Sequence, residues 1–316
     1  MLLKVGKVLS ASIVFCIVAI VLVRIGIFSP DDASLKAKYT NEFSRFVEID
    51  GVPIHYRDEG EGPVLVLVHA HLGSLHMWDG WVCELGKHYR IVRFTYPPYG
   101  LSGQDTTGIY GASRALELIE GVIDHIGLHS FSIAGTSSGS IIAARYAAKH
   151  PGRVEKLLLS TVPAYTPGDR QAPPLSFRVM MWLSNNVLKI YRPEVYWRMF
   201  LEYIYGDPAL VTLEKVQRYT DLNNRSGSIA NTAKFIMTNA QSSVNVADIL
   251  GQVQTPTLIQ WAGKSPVLSP AGLDEVLPMF TEAAVQAIRY PALGHALVME
   301  DPVRTAAAAH EFLQDN

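Results

Sequence analysis

Apolar and polar residues follow different periods in successive parts of the chain. From Val64 to Val68 the sequence is continuously apolar, which is typical of a strand buried on both faces of a parallel sheet. Before it, alternating residues over Arg45–Ile49 and Pro53–Asp58 flank Asp50-Gly51 and predict a β-hairpin. After it, predicted strands alternate with predicted helices: strands at Ile91–Phe94, Phe131–Ala134, Val154–Leu159, Thr257–Trp261 and Val285–Tyr290, and helices at Tyr110–Ile126, Ser140–His150 and Thr305–Leu313. This order predicts an α/β fold, a mostly parallel sheet with helices on both faces.

Between residues 163 and 252 this alternation stops. Prolines between Pro163 and Pro174 break the chain, and helical stretches rich in large apolar residues follow them. We interpret this segment as a helical cap inserted after strand six. Its methionine and aromatic side chains either pack helix against helix or line an apolar pocket between cap and sheet, where ligand sites commonly form.

The first 28 residues differ from the rest of the chain. Lys4 and Lys7 precede an apolar run from Val8 to Phe28, which at 1.5 Å per residue is long enough to cross roughly 30 Å of hydrocarbon. A cleaved signal peptide is the alternative, but its apolar region is shorter, about 7–15 residues, and ends at small residues. We therefore expect residues 1–28 to be an uncleaved single-pass membrane anchor, with the N-terminus in the cytoplasm and the main domain outside it, periplasmic in a bacterium.

Two further divisions follow from the pattern. Residues 29–42 are predicted to form a polar stalk, and residues 43–316 the main domain, with the cap at about 163–252. A chain of 316 residues, 48% of them hydrophobic, can bury one sizeable core. The two cysteines, Cys16 and Cys83, are not expected to pair, because Cys16 would lie in the bilayer.

The net charge and the absence of several motifs reduce the number of functional classes that fit the sequence. The formal net charge is −2 and no basic stripe runs through the sequence, so a nucleic-acid partner is not expected. The sequence contains no phosphate loop, dinucleotide fingerprint or metal-ligand cluster. We therefore expect no cofactor and no metal, and we look for chemistry carried by side chains alone.

A short glycine-rich motif has the shape that nucleophilic catalysis needs. Gly135-Thr136-Ser137-Ser138-Gly139 lies between a predicted strand and an alanine-rich helix. A sharp strand-to-helix turn exposes the Ser137 hydroxyl, and the flanking glycines let neighbouring backbones approach closely. The helix N-terminus favours negative charge developing beside the serine. A simple glycine-rich turn is the alternative, but the strand and helix on either side favour a nucleophile elbow.

Further motifs over about 270 residues accompany this elbow in order: Phe46–Gly51, His55–Gly60, His69–Trp78, Tyr96–Gly103, Arg145–Ala147, His150–Val154, Pro256–Trp261 and Pro291–Pro302. Together they resemble the α/β-hydrolase superfamily, and most closely its single-domain bacterial hydrolases and esterases with an N-terminal membrane anchor. The resemblance implies an α/β-hydrolase fold and a catalytic triad in the order Ser, acid, His.

The resemblance assigns roles to four residues. His295, in a loop after the last predicted strand, matches the catalytic histidine, which takes the proton of Ser137 and returns it to the leaving group. The backbone amides of His71 and Ser138 match the two donors of an oxyanion hole. The family usually has His-Gly where this chain has His69-Ala70, so the loop is expected to sit slightly differently.

The acid of the triad is absent from both of its usual positions. The family's Trp-Gly-x-x-Asp pattern reads Trp261-Ala262-Gly263-Lys264-Ser265 here, so Ser265 occupies the aspartate position. After strand six, the second usual position, the chain reads Ser160–Pro163. Asp274 and Glu275 follow on a predicted helix and could substitute only if that helix turned inward, so a solvated helix surface is the simpler interpretation.

Two functions fit this pattern. The first is a membrane-anchored serine hydrolase or esterase that acts on a small or medium hydrophobic ester through Ser137 and His295, with an atypical or missing acid. The second is a catalytically impaired relative that binds an apolar ligand or partner in the cap pocket. Other cofactor-free chemistry on this fold, such as carbon–carbon bond cleavage, remains a third alternative.

Overall fold

The computed structural model describes residues 12, 14–15, 17–164, 171–241 and 245–315. Its strands are β1 Ser44–Ile49, β2 Val52–Glu59, β3 Val64–Val68, β4 Arg90–Thr95, β5 Phe131–Thr136, β6 Val154–Ser160, β7 Thr257–Ala262 and β8 Val285–Tyr290. Its α-helices are α1 Asp32–Tyr39, α2 Asp79–Leu85, α3 Ala112–Ile126, α4 Ser138–Lys149, α5 Leu175–Leu183, α6 Glu194–Ile204, α7 Leu213–Asn223, α8 Ser228–Gln241, α9 Val246–Gly251, α10 Gly272–Val276, α11 Leu297–Glu300 and α12 Pro302–Gln314.

The eight strands form one mostly parallel sheet in the order β1-β2-β4-β3-β5-β6-β7-β8. Strand β2 pairs antiparallel with β1 and β4, and all other neighbours are parallel. The predicted hairpin is confirmed, since Asp50 and Gly51 both adopt positive φ, 49° and 75°, as the mirror-image two-residue turn requires. The mostly parallel α/β-hydrolase arrangement predicted from the sequence is therefore confirmed.

The apolar run of β3 is buried on both faces of the sheet. Val66 and Val68 contribute to the larger hydrophobic core, against helices α3 and α4. Leu65 and Leu67 point to the opposite face and pack in a second core with residues of α2 and α12. Successive side chains of one strand thus enter different cores, as expected for a sheet covered by helices on both sides.

Part of the predicted polar stalk is packed against the main domain. Within residues 29–42, α1 starts at an Asp31 N-cap, and its Leu35 and Tyr39 are buried in a small cluster with Leu101 and Leu222. Asp32 also pairs with Arg225 at 2.8 Å. The sequence prediction of a stalk missed this docking because the helix carries only two buried apolar residues among charged ones.

The predicted anchor lies partly outside the described residues. Of residues 1–28, the structure describes 12, 14–15 and 17–28, and positions 12, 14–15 and 17–24 among them are helical. Within the described parts of the chain, we find no helix with the length and apolar character needed to cross a membrane.

The segment between β6 and β7 is largely helical, with α5 to α9 in sequence. A separate cluster holds these helices together, formed by Trp197, Leu201 and Ile204 of α6 with Val216 and Tyr219 of α7. Ala296, next to the predicted base, joins the same cluster. The inserted helices therefore pack directly onto the loop that carries His295. Residues 165–170 and 242–244 of the predicted cap are not described.

Candidate active site

Ser137 lies on a strained turn between β5 and α4. Its φ of 51° and ψ of −123° fall in a region that residues with a side chain rarely adopt. Its amide donates to the carbonyl of Ser160 at 2.8 Å, and its carbonyl accepts from the amide of Ser140. A Cβ on Gly135 would overlap the backbone of Gly139, which explains the glycine on one side of the elbow.

Gly139 permits a second close approach. A Cβ at this position would overlap the carbonyl oxygens of Val68 and His69, at the end of β3. The two glycines of the motif thus bring the nucleophile turn against the strand whose following loop was predicted to supply an oxyanion donor. The geometry is that of the predicted nucleophile elbow.

His295, in the loop after β8, reaches the hydroxyl of Ser137. Its Nε2 lies 2.9 Å from Oγ of Ser137, although the two residues are 158 positions apart in the chain. The amide of His295 donates to the carbonyl of Ile204, the last residue of α6, at 2.7 Å. Gly294 packs so closely on this helix end that a Cβ would overlap the backbone of Gly206. The histidine is therefore held by the inserted helices as well as by β8.

A buried carboxylate stabilises the histidine loop. Glu300 accepts the amide of Gly294 at 2.8 Å, and also the amides of Gly206 and Asp207 at 3.1 and 3.0 Å. These bonds join the loop before His295 to the chain just after α6. The sequence gives Glu300 no role of its own within Pro291–Pro302, because its burial, at 7% exposure, becomes visible only in the structure.

Ser265, which stands where the resembled family has its aspartate, lies next to His295. Its hydroxyl lies 3.1 Å from Nδ1 of His295, on the side of the ring that faces away from Ser137. The same oxygen accepts the amides of Val267 and Leu268 at 3.2 and 3.0 Å. The residue is 3% exposed, so water does not compete for these bonds. The two backbone amides thus form a donor pair that suits a carboxylate, and here the hydroxyl of Ser265 accepts from both.

Asp274 and Glu275 lie on α10, away from this contact. The side chain of Asp274 is 70% exposed and pairs with Arg289 at 2.6 Å. Glu275 is also exposed. The pairing of Asp274 with Arg289 supports the interpretation of this carboxylate as helix surface.

The two predicted oxyanion donors lie together but are not equally available. The amide of His71 donates to Oγ of Ser138 at 2.7 Å, so the side chain of the residue after the nucleophile occupies one predicted donor. The amide of Ser138 starts helix α4, and no described residue accepts it in a hydrogen bond. In this loop the positive φ falls on Leu72, at 62°, and Ala70 avoids it. The alanine therefore needs no left-handed conformation in this loop.

The imidazole of His71 enters the pocket and is fixed there. Its Nδ1 is hydrogen-bonded to the hydroxyl of Tyr99, and its ring stacks on Phe235 of α8 with centroids 5.8 Å apart. Burial lowers the pKa of His71 to about 4, so the ring is neutral near pH 7. His69 behind it is fully buried and stacked on Tyr96, which braces the loop.

One cavity of about 680 Å³ connects these groups. Ser137 and His295 lie in its wall, and most of the remaining surface is apolar. Phe200, Ile204, Tyr219 and Phe235 of the inserted helices line it opposite Ile141 of α4. This volume matches a pocket for a small organic ligand. Within the described ranges, no group of three or more His, Cys, Asp or Glu side chains is placed to hold a metal ion.

The comparisons with known proteins agree with this geometry. A family model described as the alpha/beta hydrolase fold matches residues 63–302. A 2-hydroxy-6-oxononadienedioate/2-hydroxy-6-oxononatrienedioate hydrolase of Comamonas testosteroni is 24% identical over 239 residues, 69% of this chain and 78% of that protein. Lipase 3 of Moraxella sp. is 24% identical over 252 residues, 79% of this chain and 76% of its own length.

Solved structures show the same fold over almost the whole chain. A bacterial membrane phospholipase A, described as a virulence factor, superposes with a TM-score of 0.73 and 22% identity, covering 98% of this chain and 97% of that one. An enol-lactonase of Burkholderia xenovorans gives a TM-score of 0.69 with 18% identity, over 86% of this chain and all of that one. These structures show the fold, and the two sequence relatives, named as a hydrolase and a lipase, support hydrolase activity for this chain.

Proposed function

This chain belongs to the alpha/beta hydrolase fold family, and we propose that it is a serine hydrolase that cleaves a small or medium hydrophobic ester. The observation that carries this proposal is the 2.9 Å contact between Ser137 Oγ and His295 Nε2 at the wall of an apolar cavity. Nucleophile and base within hydrogen-bond distance are the signature of an activated serine. The inserted helices would act as the cap that excludes water from the ester.

The reaction follows from the positions of these groups. Ser137 attacks the ester carbonyl, and Nε2 of His295 takes the hydroxyl proton. The negative oxygen that develops is stabilised by the amide of Ser138 at the start of α4, and by the amide of His71 once the hydroxyl of Ser138 has turned away. His295 then gives its proton to the leaving alcohol, and water hydrolyses the acyl-enzyme by the same steps in reverse.

Ser265 opposes the first of these steps. A hydroxyl has one hydrogen and two lone pairs. The amides of Val267 and Leu268 fill both lone pairs, so the Ser265 hydrogen is directed at Nδ1 of His295. Nδ1 then accepts, and the imidazole proton belongs on Nε2, facing Ser137. This is the tautomer that cannot act as a base.

The energetic consequence has a known scale. In serine proteases, replacing the triad aspartate so that the histidine takes the wrong tautomer lowers kcat about 10⁴-fold, while binding and the oxyanion hole still give catalysis over water. Catalysis here first requires the Ser265 hydroxyl and the His295 proton to rearrange. We therefore propose a slow hydrolase whose turnover is limited by this rearrangement.

Activity-based labelling tests the proposal. Purified protein is expected to react with a fluorophosphonate probe and to hydrolyse a short-chain p-nitrophenyl ester, and both signals should disappear in Ser137→Ala. Ser130→Ala, at an exposed serine outside the cavity whose hydroxyl bonds to Glu155, is the matched control and should keep both. If the unmodified protein gives neither signal, the catalytic proposal fails.

A second candidate is a non-catalytic binder of an apolar ligand. Two observations favour it: Ser265 in place of the acid, and the bond that occupies the amide of His71. For this function, an apolar ligand should copurify with a protein that is inert to the probe, and Ser137→Ala should bind that ligand as well as the unmodified chain does.

We further propose that residues 1–28 anchor the protein in a membrane, with the hydrolase domain on the extracytoplasmic side. The apolar run from Val8 to Phe28 and the preceding Lys4 and Lys7 support this orientation. Likeness in fold to a bacterial membrane phospholipase A is consistent with it. Protease added to intact spheroplasts should remove the domain if the orientation is correct, whereas a signal recovered in the soluble fraction would contradict the anchor.

A further inference from the structure

The cavity contains a positive charge two helical turns away from the nucleophile. Ile141 and Arg145 are four residues apart on one face of α4, Ser137 lies immediately before the first residue of this helix, and all three line the cavity. Eight residues at 1.5 Å each place Arg145 about 12 Å from Ser137 along the helix axis. Ile141 and apolar residues of the inserted helices, such as Ile236 and Val246, line the same cavity.

The guanidinium of Arg145 is not neutralised by the residues around it. Its one hydrogen bond among the described residues goes to Oγ of Ser113 at 3.0 Å, and no carboxylate in the described ranges pairs with it. Arg114, the other arginine of the cavity, pairs with Asp105, Asp50 and Glu117. Two of those three carboxylates are largely exposed and screened by water.

The groups next to Arg145 also suit an anion. The first turn of α3, with Ala112 and Ser113, lines the same cavity, and the residue before it, Gly111, has no side chain to cap it. A helix N-terminus of this kind favours negative charge. Asn239 of α8 accepts the amide of Ala112 at 2.9 Å, which leaves the Ser113 hydroxyl and the Arg145 fork to meet a ligand.

We propose that Arg145 is the anion-binding end of the substrate pocket, so that the preferred ester carries a carboxylate or phosphate about one medium acyl chain from its carbonyl. This inference rests on the proposed function and specifies its substrate class. A charge-assisted contact to a fixed anion contributes about a ten- to hundredfold gain in kcat/KM over an uncharged chain of equal length. The apolar lining of the cavity accommodates the chain.

Two series of esters test the proposal and locate the anion. The first compares p-nitrophenyl half-esters of succinate, adipate, suberate and sebacate with p-nitrophenyl esters of the monocarboxylic acids of equal length. The second compares a lysophosphatidylglycerol with the monoacylglycerol of the same acyl chain. A preference in the first series places the anion on the acyl side, and a preference in the second places it on the alcohol side.

Three variants separate charge from structure. Arg145→Gln is expected to abolish the preference while neutral esters are still hydrolysed, and Arg145→Lys to retain part of it. Arg178→Gln, on an exposed position of α5, makes the same change in net charge outside the cavity and should leave the preference intact. Turnover of neutral esters with no preference in either series, or a preference that survives Arg145→Gln, would overturn the inference and leave the proposed function standing.

If no ester is hydrolysed, the proposed function fails. The affinity of the cavity for an anionic ligand then tests the site at Arg145 separately. Decanoate should then bind more tightly than the uncharged decanamide of equal length in isothermal titration calorimetry, and Arg145→Gln should remove the difference. Equal affinities of the two ligands for the unmodified protein would contradict an anion site at Arg145.

Discussion

The hydroxyl of Ser265 lies 3.1 Å from Nδ1 of His295, in the place where a triad carboxylate would hold the ring. Two backbone amides already donate to this oxygen, so the site is built to hold an acceptor. A carboxylate has four lone-pair directions and could accept both amides and the proton of Nδ1 at once. The serine has two, which the amides of Val267 and Leu268 fill, so we expect its hydrogen to face Nδ1 and the imidazole proton to lie on Nε2.

The first prediction is that Ser265→Asp increases activity. The carboxylate would place the proton on Nδ1 and leave Nε2 free to act as base, so kcat should rise by at least about tenfold and by up to about 10⁴-fold. Steady-state kinetics on one p-nitrophenyl ester measures this. Ser265→Ala is the control: it removes the hydroxyl that directs the wrong tautomer without adding charge, and should change kcat only a few fold.

A strong loss of activity in both variants would contradict this interpretation. It would mean that the Ser265 hydroxyl itself assists the base. Urea unfolding of both proteins separates an effect on catalysis from an effect on folding, since Ser265→Ala leaves the amides of Val267 and Leu268 without their acceptor. That loss is expected to cost about 1–3 kcal/mol of stability.

The second prediction concerns the oxyanion donors. Because Oγ of Ser138 accepts the amide of His71, an ester oxygen has to displace it. Ser138→Ala frees this amide and keeps the amide of residue 138. Because one neutral hydrogen bond to the oxyanion is gained, kcat should rise about three- to tenfold. Ser140→Ala is the matched control, because its hydroxyl is bonded to the carbonyls of Gly135 and Ser160 and faces away from the donors. A lower kcat in Ser138→Ala would show that the hydroxyl serves the reaction.

Local signals in the sequence were sufficient to predict where Ser137 and His295 lie relative to the neighbouring strands. The Gly135–Gly139 motif and the loop after β8 each combine a backbone requirement with a neighbouring strand, and these are visible within a few residues. The sheet could be predicted for the same reason, because strands such as β3 are continuously apolar. What could not be predicted depends on contacts between distant segments. Ser138 meets His71 across 67 positions, and α1 docks on residues near Leu222, where the sequence alone gives no sign of a partner.

The third prediction tests Glu300 as the residue that holds the histidine loop. Glu300→Gln keeps the size of the side chain but turns half of the acceptor into a donor that faces the amides of Gly294 and Gly206. We expect a loss of about 1–3 kcal/mol in the free energy of unfolding. We also expect kcat to fall more than KM changes, because His295 moves with the loop.

Asp274→Asn is the matched control for this change. It neutralises an exposed carboxylate that pairs only with Arg289 among the described residues, so stability and kcat should stay close to those of the unmodified chain. A fall in kcat for Asp274→Asn would revive this residue as the missing acid. Unchanged stability and kcat in Glu300→Gln would show that the loop does not depend on the buried charge.

The fourth prediction is a loss of stability in mild acid. Burial lowers the pKa of His55 and of His69 to about 3, and burial with the charges of Arg218 and Arg57 lowers that of His76 well below its usual range. Each folded-state pKa is below the unfolded value of about 6.5, so the folded protein binds fewer protons. Stability is therefore complete above about pH 6.5 and decreases as the pH falls from there toward the folded-state pKa values. The unfolding midpoint should fall by at least about 5 °C between about pH 7 and pH 5.

Exchange of one histidine shows whether these rings are responsible. His76→Gln places a side chain that cannot be protonated beside Arg57, so the fall in midpoint between the two pH values should be smaller than in the unmodified chain. His125→Gln, at an exposed position near the end of α3, should leave the fall unchanged. Differential scanning calorimetry at both pH values measures the difference, and an identical slope in all three proteins would assign the acid sensitivity to carboxylates instead.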